Sequence, residues 1–420
     1  MALPILAPAD RDLLGVRVLP LKRGRDRMSE DIDQILERLK KEGEAREPET
    51  KEGLGPSEGV DEELEEVLRQ TMAEILVVGV GGAGGNTVTR LLDIGLEGVE
   101  SVAMNTDAQA LIYADASRKM LLGKNTTGGM GAGNIPEVGE QSAIESTPQI
   151  RELVKGKDLV FVTAGMGGGT GTGAIPVVAK EAREAGALTV GVVTFPFKME
   201  GRLRSENSKV GIAKLMDACD SVIVVPNDKL LELAPGVPIN TAFKISDEVL
   251  LKIIVGMSEL IVKPGLVNLD LADLRKILKN SGAALIGLGE AAGRDKAVKA
   301  ALDVLNSPLL DVDITNGRGA IVNVVSSMDV TLLDVEQIVK MVANKLSPEA
   351  EIIWGAQIDE EMKDTIRVLI VISGLRLSDK FLRTTMAAHA EGEAPEVGGV
   401  PGSPEAKKLL GSVSSLDWKA

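Results

Sequence analysis

The chain has 420 residues, a formal net charge of −15 at pH 7, and 44% hydrophobic residues. This composition predicts a soluble globular protein of two or three domains, and its acidic balance argues against a general nucleic-acid or anionic-membrane binder, because both need a basic face. Cys219 is the only cysteine and His389 the only histidine, which excludes an intrachain disulfide, a cysteine zinc cluster and histidine-based triads in the main domains, and a reducing cytoplasm is the simplest setting.

Residues 1–72 predict an acidic, largely flexible arm. From Ser29 the stretch SEDIDQILERLKKEGE places apolar residues at helical spacing, with acids first and lysines last, which predicts a short helix. The charged, Pro/Gly-rich segment after it is typical of a solvated linker, and a partner-binding helix is the alternative. Met28 precedes the helix and is a second candidate start of the natural chain. We expect neither a signal peptide nor a transmembrane helix.

Residues 73–237 alternate short apolar runs with helical sequence. The runs are AEILVVGVGG, SVAMNTD, DLVFVTAGMGGG, ALTVGVVTFPF and SVIVVPND. Strands that alternate with helices predict a parallel sheet covered on both faces. We therefore expect a Rossmann-like α/β domain here.

A long helical pattern covers 238–264 and ends at Lys263, Pro264 and Gly265, which are stop signals. Beyond it, the runs ALIGLGEA, AIVNVVSS, EIIWGAQID and IRVLIVISGL predict a smaller α/β domain over 265–376, so the long helix connects two domains. Residues 377–420 read as a flexible tail. An aromatic residue near the end of such a tail, Trp418, is a plausible docking anchor for a partner.

Three glycine clusters lie next to predicted strands. The first, Gly79–Asn86, follows a strand and opens a helix, and the second, Ala164–Pro176, does the same; the third is Thr126–Gly133. Ligands of open α/β sheets bind at the carboxyl ends of strands, where backbone N–H groups and helix N-termini can face an anion. Three such clusters provide more donors than one diphosphate needs, so a nucleoside triphosphate is the better match.

None of the three clusters contains a lysine, which excludes the phosphate loop of the G-x-x-x-x-G-K-[ST] type. Amide groups, helix dipoles and Mg²⁺ held mainly by the phosphates must then offset the charge, and we predict no protein-derived metal site. The first cluster alone also fits G-x-G-x-x-G, with Asp107 ending the next strand. A nicotinamide-dependent oxidoreductase is therefore a remote alternative, which leaves the second cluster unexplained.

The sequence GGGTGTG at Gly167–Gly173 resembles the signature of the tubulin/FtsZ superfamily. Further matches follow in family order: VGVGGAGGN at 78–86, NTD at 105–107, FPFKMEGRLR at 195–204, VPNDKLLE at 225–232 and VNLDLADLRKIL at 267–278. The resemblance covers roughly residues 73–376, and the tail and arm favour an archaeal member. It implies a GTPase that binds GTP or GDP with Mg²⁺ and polymerises head to tail into protofilaments of the division ring.

By this resemblance, 73–237 is the GTP-binding domain and 265–376 the GTPase-activating domain. Glu200 and Arg204 fall where the family contacts ribose, and Asp247 where it contacts guanine; a carboxylate there accepts from N1–H and N2–H₂ and rejects adenine. A local ion pair is the alternative for Glu200 and Arg204. The full nucleotide-binding set is Gly81, Gly82, Ala83, Gly84, Gly85, Asn86, Asn105, Gly131, Gly167, Gly168, Gly169, Thr170, Gly171, Thr172, Glu200, Arg204 and Asp247.

The segment NLDLAD supplies the candidate catalytic residues Asn268, Asp270 and Asp273. It follows the far end of the long helix, so it cannot readily reach the phosphates of its own subunit. In a stacked pair, the two carboxylates would orient water at the γ-phosphate of the neighbour. Capping of the next helix is the alternative role for either acid and is compatible with catalysis.

The resemblance also implies partners and a location. We expect self-association, a membrane-tethering division protein bound through the tail, no nucleic acid, no direct membrane insertion, and a cytoplasmic protein at the mid-cell division site. The ending LDWKA does not match the usual bacterial tail. A GTP-binding scaffold or regulatory paralogue that does not itself drive division is the second alternative.

Overall fold

The computed structural model describes residues 73–233, 236–263, 265–267, 269–310, 313–359 and 362–375. The predicted arm with Met28, the tail with Trp418, and Asn268 lie outside the described residues. The domain boundaries expected from the sequence stay predictions.

The described residues form ten strands in one sheet. The strands are β1 Ile75–Val80, β2 Val99–Asn105, β3 Arg118–Leu121, β4 Leu159–Gly165, β5 Leu188–Phe195, β6 Ser221–Pro226, β7 Gly282–Ala292, β8 Gly319–Ser326, β9 Glu351–Ile358 and β10 Thr365–Leu375. Their order across the sheet is β3-β2-β1-β4-β5-β6-β7-β10-β8-β9.

Twelve α-helices accompany the strands in the described part of the chain. They are α1 Gly81–Ile94, α2 Ala108–Tyr113, α3 Lys124–Thr127, α4 Pro136–Glu145, α5 Thr147–Val154, α6 Thr170–Glu184, α7 Arg202–Ala218, α8 Asn227–Leu233, α9 Ile239–Val262, α10 Leu271–Leu278, α11 Lys296–Leu305 and α12 Leu332–Ala343. Short 3₁₀ turns occupy Lys198–Glu200 and Pro308–Leu310. No helix among the described residues is long and apolar enough to cross a membrane.

The first six strands are parallel and have the order 3-2-1-4-5-6, which is that of a Rossmann-like sheet. β7 continues the parallel pairing beside β6, whereas β10 runs antiparallel to both β7 and β8. The expected α/β class, with a parallel sheet, a long helix and a smaller α/β part, is confirmed. Because β1 to β6 are parallel, the clusters that follow β1, β3 and β4 meet at one edge.

The strands are buried because helices cover both faces of the sheet. All six residues of β1 and all eight of β5 are buried, as the near-continuous apolar runs predict. One face packs against α9, which contributes the fully buried side chains of Leu250, Ile253 and Ile254. Cys219 is 3% exposed in the core on the other face, and burial raises the pKa of its thiol.

Two helix starts differ from the expectation. The sequence predicts glycine loops followed by helices near Asn86 and Ala174, but α1 begins at Gly81 and α6 at Thr170, which leaves Pro176 inside α6. Glycine has low helix propensity, yet close packing against neighbouring backbone overrides it. Many of the glycines therefore lie in the first turns of helices, where backbone N–H groups have no intrahelical partner.

Candidate nucleotide site

The first glycine cluster joins β1 to α1 through a turn that needs glycine. Gly81 has φ +74, in the left-handed region, and a Cβ on it would lie 3.1 Å from the amide N of Gly171. A Cβ on Gly84 would lie 2.5 Å from the carbonyl O of Thr163 in β4. Gly82 is exposed, and nothing lies within 4 Å of a Cβ built there. The N-terminus of α1 thus sits directly on the second cluster, with its outer surface open.

The second cluster joins β4 to α6 and packs closely on its neighbours. Gly167 has φ +106, and its N–H donates to Thr172 Oγ1 at 2.8 Å. A Cβ on Gly169 would lie 2.8 Å from Ile135 N, and one on Gly173 would lie 1.9 Å from Pro136 O. Tight backbone contact thus fixes the start of α6 against the start of α4.

The third cluster closes against the end of β2. Gly128, Gly129, Gly131 and Gly133 all have positive φ. The Gly131 N–H donates to the Thr106 carbonyl at 3.1 Å, and the Thr106 hydroxyl lies 2.6 Å from the Thr170 hydroxyl. The structure therefore brings all three predicted clusters together at the carboxyl edge of the sheet.

Two helix N-termini and a glycine-rich loop at one edge make an anion-binding surface. The unpaired N–H groups of the first helical turns and the positive ends of two helix dipoles favour a polyanion. No group of three or more His, Cys, Asp or Glu side chains among the described residues could hold a metal ion. The Thr106 and Thr170 hydroxyls are neutral oxygen donors, which fit a hard cation whose other ligands come from phosphate and water.

Asp247, on α9, contacts α1 beside the first cluster. Its carboxylate accepts a hydrogen bond from Asn86 Nδ2 at 3.2 Å. Burial raises the pKa of Asp247 to about 6, while the Asn86 hydrogen bond and the nearby Arg90 act in the opposite direction. Arg90 itself pairs with Glu248 at 3.3 Å. The predicted guanine-reading residue is thus a buried carboxyl group held next to the predicted phosphate site.

Asn105, Glu200 and Arg204 have partners of their own. Asn105 ends β2, is 8% exposed, and accepts the Asp107 N–H at 3.2 Å. Glu200 accepts from Arg204 at 2.5 Å and from the Phe197 N–H at 2.8 Å. The local ion pair considered as an alternative is therefore present, and it is compatible with a ribose contact because Arg204 is exposed.

The sequence analysis missed Phe243. It lies one helical turn before Asp247 on α9, is 39% exposed, and packs edge-on against Phe197 with ring centroids 5.2 Å apart. A partly exposed aromatic ring beside the predicted guanine-reading carboxylate can stack on a purine. The i, i+4 spacing of Phe243 and Asp247 in AFKISD is the sequence signal that could have found it.

The remaining candidate acids lie elsewhere in the fold. Asp270 caps the N-terminus of α10: its carboxylate accepts the Asp273 N–H at 2.8 Å, and the Asp273 carboxylate accepts the Asp270 N–H at 3.2 Å. The guanidinium of Arg275 donates to the carbonyls of Asp158 at 3.0 Å and Gly186 at 3.4 Å. These carbonyls lie one residue before β4 and two residues before β5, so α10 lies at the amino edge of the sheet, opposite the glycine clusters.

Comparison with known families agrees with this fold and site. The sequence model described as the Tubulin/FtsZ family GTPase domain matches residues 74–235, and the model of the FtsZ family C-terminal domain matches residues 282–376. The two matches together contain the glycine clusters and the second half of the sheet.

Curated relatives and solved structures are similar over most of the chain. Cell division protein FtsZ of Methanothermobacter thermautotrophicus is 54% identical over 336 residues, 80% of this chain and 88% of that protein. FtsZ 1 of Archaeoglobus fulgidus is 48% identical over 83% of this chain and 94% of its own length. An empty FtsZ dimer of M. jannaschii superposes with a TM-score of 0.73 at 49% identity, covering 77% of this chain and 93% of that one.

A more distant likeness shows the fold alone. CetZ2 of Haloferax volcanii, solved as a GTPγS-bound protofilament, is 19% identical with a TM-score of 0.64, covering 81% of this chain and 99% of that chain. The comparisons support the GTPase interpretation and give no support to the oxidoreductase or the scaffold. The chain therefore belongs to the FtsZ cell division family and carries its tubulin-type GTPase domain.

Proposed function

We propose that this cell-division GTPase assembles head to tail and hydrolyses GTP at the junction between two subunits. The observation that carries the proposal is that the glycine clusters and the acids of α10 lie at opposite edges of one sheet. β4 alone, with seven residues, separates Asp158 from Gly165 by about 20 Å. The acids of one subunit can act on a nucleotide only if that nucleotide belongs to a second subunit.

The carboxyl edge binds the nucleotide in this proposal. Amides of Gly81–Gly85 and Gly167–Gly171 hold the phosphates, and Gly131 closes over the terminal one. Asp247 accepts from the guanine N1–H and N2–H₂, with Phe243 stacking on the base. Glu200 and Arg204 contact the ribose. Mg²⁺ would be held by phosphate oxygens near the Thr106 and Thr170 hydroxyls, where it would offset phosphate charge.

The amino edge completes the site of the next subunit. Asp270 and Asp273, exposed and half-buried respectively, orient and polarise the attacking water. Their mutual capping contacts hold both carboxylates at the tip of α10, so the helix-capping role and the catalytic role coexist. Asn268 is proposed as a third member on the resemblance alone.

Exposed apolar side chains support contact with another subunit. Leu266 is 65% exposed and its N–H donates to Ala356 O in β9. Met328, Leu332 and Leu333 follow the carboxyl end of neighbouring β8, which runs in the same direction as β7, and they are 72%, 76% and 60% exposed. Apolar surface of this kind gains free energy when a partner covers it.

The proposal extends to partners and location by family membership. We infer that the division ring at mid-cell in the cytoplasm is the site of action, and that the tail with Trp418 recruits a membrane-tethering partner. The purified tail segment should bind vesicle-bound partner proteins, and the Trp418→Ala variant of the segment should not. A binding assay that compares the two segments tests this assignment.

Asp270→Ala tests the proposed mechanism. We expect GTP affinity to stay within about twofold, because Asp270 is remote from the glycine clusters, and GTP turnover to fall at least 100-fold, as removal of a water-orienting group does. Phosphate release and equilibrium GTP binding are the measurements. Wild-type specific activity should rise steeply with protein concentration; constant specific activity at all dilutions contradicts a shared site.

A further inference from the structure

Three consecutive residues of the edge strand β9 contact the segment that leads from α9 to Asp270. Gly355 lies under the chain at Val267 and Leu269, Ala356 pairs with Val267, and Gln357 reaches the last turn of α9. Gly355 and Ala356 both meet the segment at Val267, and Gln357 contacts the helix that precedes it. This part of β9 therefore fixes where Asp270 begins α10.

The pairing at Ala356 is a short antiparallel bridge. The N–H groups of Leu266 and Val267 donate to the Ala356 carbonyl at 2.8 and 3.2 Å, and the Ala356 N–H donates to the Val267 carbonyl at 3.2 Å. The bridge holds the backbone three residues before Asp270. Leu269, 6% exposed, anchors the residue directly before it.

Gly355 supplies the clearance for this close approach. A Cβ there would lie 3.2 Å from both Leu269 Cγ and Val267 O, and 3.4 Å from Leu260 Cδ2. Its φ is ordinary, so alanine is compatible with the backbone, but the segment above would have to move by a few tenths of an ångström. The two nearest contact atoms belong to Val267 and Leu269 of the segment itself, so Asp270 would move with them.

Gln357 ties the same strand to the end of α9. Its Nε2 donates to the Glu259 carbonyl at 2.9 Å, and the side chain is 7% exposed. The Glu259 carbonyl also accepts the Lys263 N–H at 2.9 Å, so Gln357 adds a second hydrogen bond at the C-terminal end of α9. The strand thereby holds both the helix end and the chain that follows it.

We propose that Gly355, Ala356 and Gln357 are positioning residues that set the acids of α10 for attack in the neighbouring subunit. The inference rests on the proposed shared site. A group displaced by 1 Å can lose about 100-fold in rate, so a shift of a few tenths of an ångström costs roughly four- to tenfold. The loss should fall on turnover and not on nucleotide binding, because β9 is remote from the glycine clusters.

Gly355→Ala tests the inference, with Gly191→Ala as its matched control. A Cβ on Gly191 would meet Leu215, Cys219 and Val222 at 3.2 to 3.4 Å, an equal crowding that lies within the core of the other half. Both variants should lose similar stability and keep GTP affinity. Only Gly355→Ala should lower phosphate release per assembled subunit, by about four- to tenfold at saturating GTP.

Gln357→Met is the second variant, since it keeps the length of the side chain and removes the bond to Glu259. It should also lower turnover per assembled subunit without changing GTP affinity. If both β9 variants turn over GTP as fast as Gly191→Ala while Asp270→Ala is inactive, the positioning role is overturned and the proposed function stands. If Asp270→Ala itself retains full turnover, the proposed function is overturned together with this inference.

Discussion

Asp247 is a carboxyl group in surroundings that disfavour its charge. Burial raises its pKa to about 6 from an ordinary value of 3.8. The folded protein therefore binds this proton more tightly than the unfolded chain, and stability falls as the pH rises from about 4 to about 6. Above pH 6 the nucleotide-free protein carries an ionised buried carboxylate that guanine donors would satisfy.

Asp247→Asn should stabilise the nucleotide-free protein at pH 7.5 by about 1 to 3 kcal/mol, because it removes the buried charge. The gain should shrink as the pH approaches 4, where the wild-type carboxyl is protonated. Denaturant unfolding of nucleotide-free protein between pH 4 and 7.5 measures the difference. A gain that does not depend on pH would contradict the assigned cause.

The same substitution should change which purine is bound. An asparagine amide can donate to the O2 of xanthine, whereas the Asp247 carboxylate only accepts. We expect GTP affinity to fall at least about 100-fold and XTP to become the preferred ligand, since a mismatched site leaves buried polar groups unpaired. Calorimetric titration with GTP, XTP and ATP distinguishes this from a general loss of nucleotide binding, which would argue against base readout by Asp247.

At the scale of elements, the glycines of α1 divide into two kinds. Gly84 is required by the fold, because a Cβ there would collide with β4. Gly82 is not, since it is exposed with open space around it and its φ is ordinary. Alanine is the better helix former at such a position, so we predict that the close approach of a ligand to the backbone requires glycine here.

Gly82→Ala should therefore separate folding from binding. The free energy of unfolding should stay the same or rise by up to about 1 kcal/mol, because alanine favours the helix. GTP affinity should fall by about tenfold or more, because the new methyl group enters the space of the phosphates. Unchanged affinity in a binding titration would remove Gly82 from the nucleotide site; Gly84→Ala, expected to lose stability, is the contrasting variant.

The elements also show what the sequence could predict. Apolar runs and glycine clusters predicted every strand except β3, the parallel class of the first half of the sheet and the edge where the clusters meet, because these follow from local pattern and from parallel-sheet geometry. The predicted start of α6, near Ala174, was wrong. The helix begins at Thr170, because tertiary packing overrides the low helix propensity of glycine. The antiparallel position of β10 between β7 and β8 has no local signal at all.

Contacts between distant parts of the chain were harder to foresee. Asn86 and Asp247 are 161 positions apart, and they form a hydrogen bond. The family resemblance predicted each residue separately as part of the nucleotide site, but not the contact between them. Phe243 was missed because one aromatic residue in a helix is more often core than site. Capping of α10 by Asp270 or Asp273 was foreseen as an alternative role, but the reciprocal hydrogen bonds between the two residues were not.

For the molecule as a whole, the central feature of the proposal is the separation of the proposed binding and catalytic groups across one sheet. Copies that each carry a net charge of −15 repel one another, so their association must depend on apolar contact and on the nucleotide held between them. Hydrolysis that needs a neighbour makes turnover a consequence of assembly. The same arrangement allows the two halves of a site to be inactivated in different subunits.

A mixture of Asp270→Ala and Asp247→Asn subunits tests this claim most directly. With γ-labelled GTP and unlabelled XTP both present, GTP occupies the Asp270→Ala subunits and XTP the Asp247→Asn subunits, whose α10 acids are intact. The account predicts that the mixture releases labelled phosphate although neither variant alone does so. Labelled phosphate release no greater than the sum of the two separate variants would contradict a site shared between subunits.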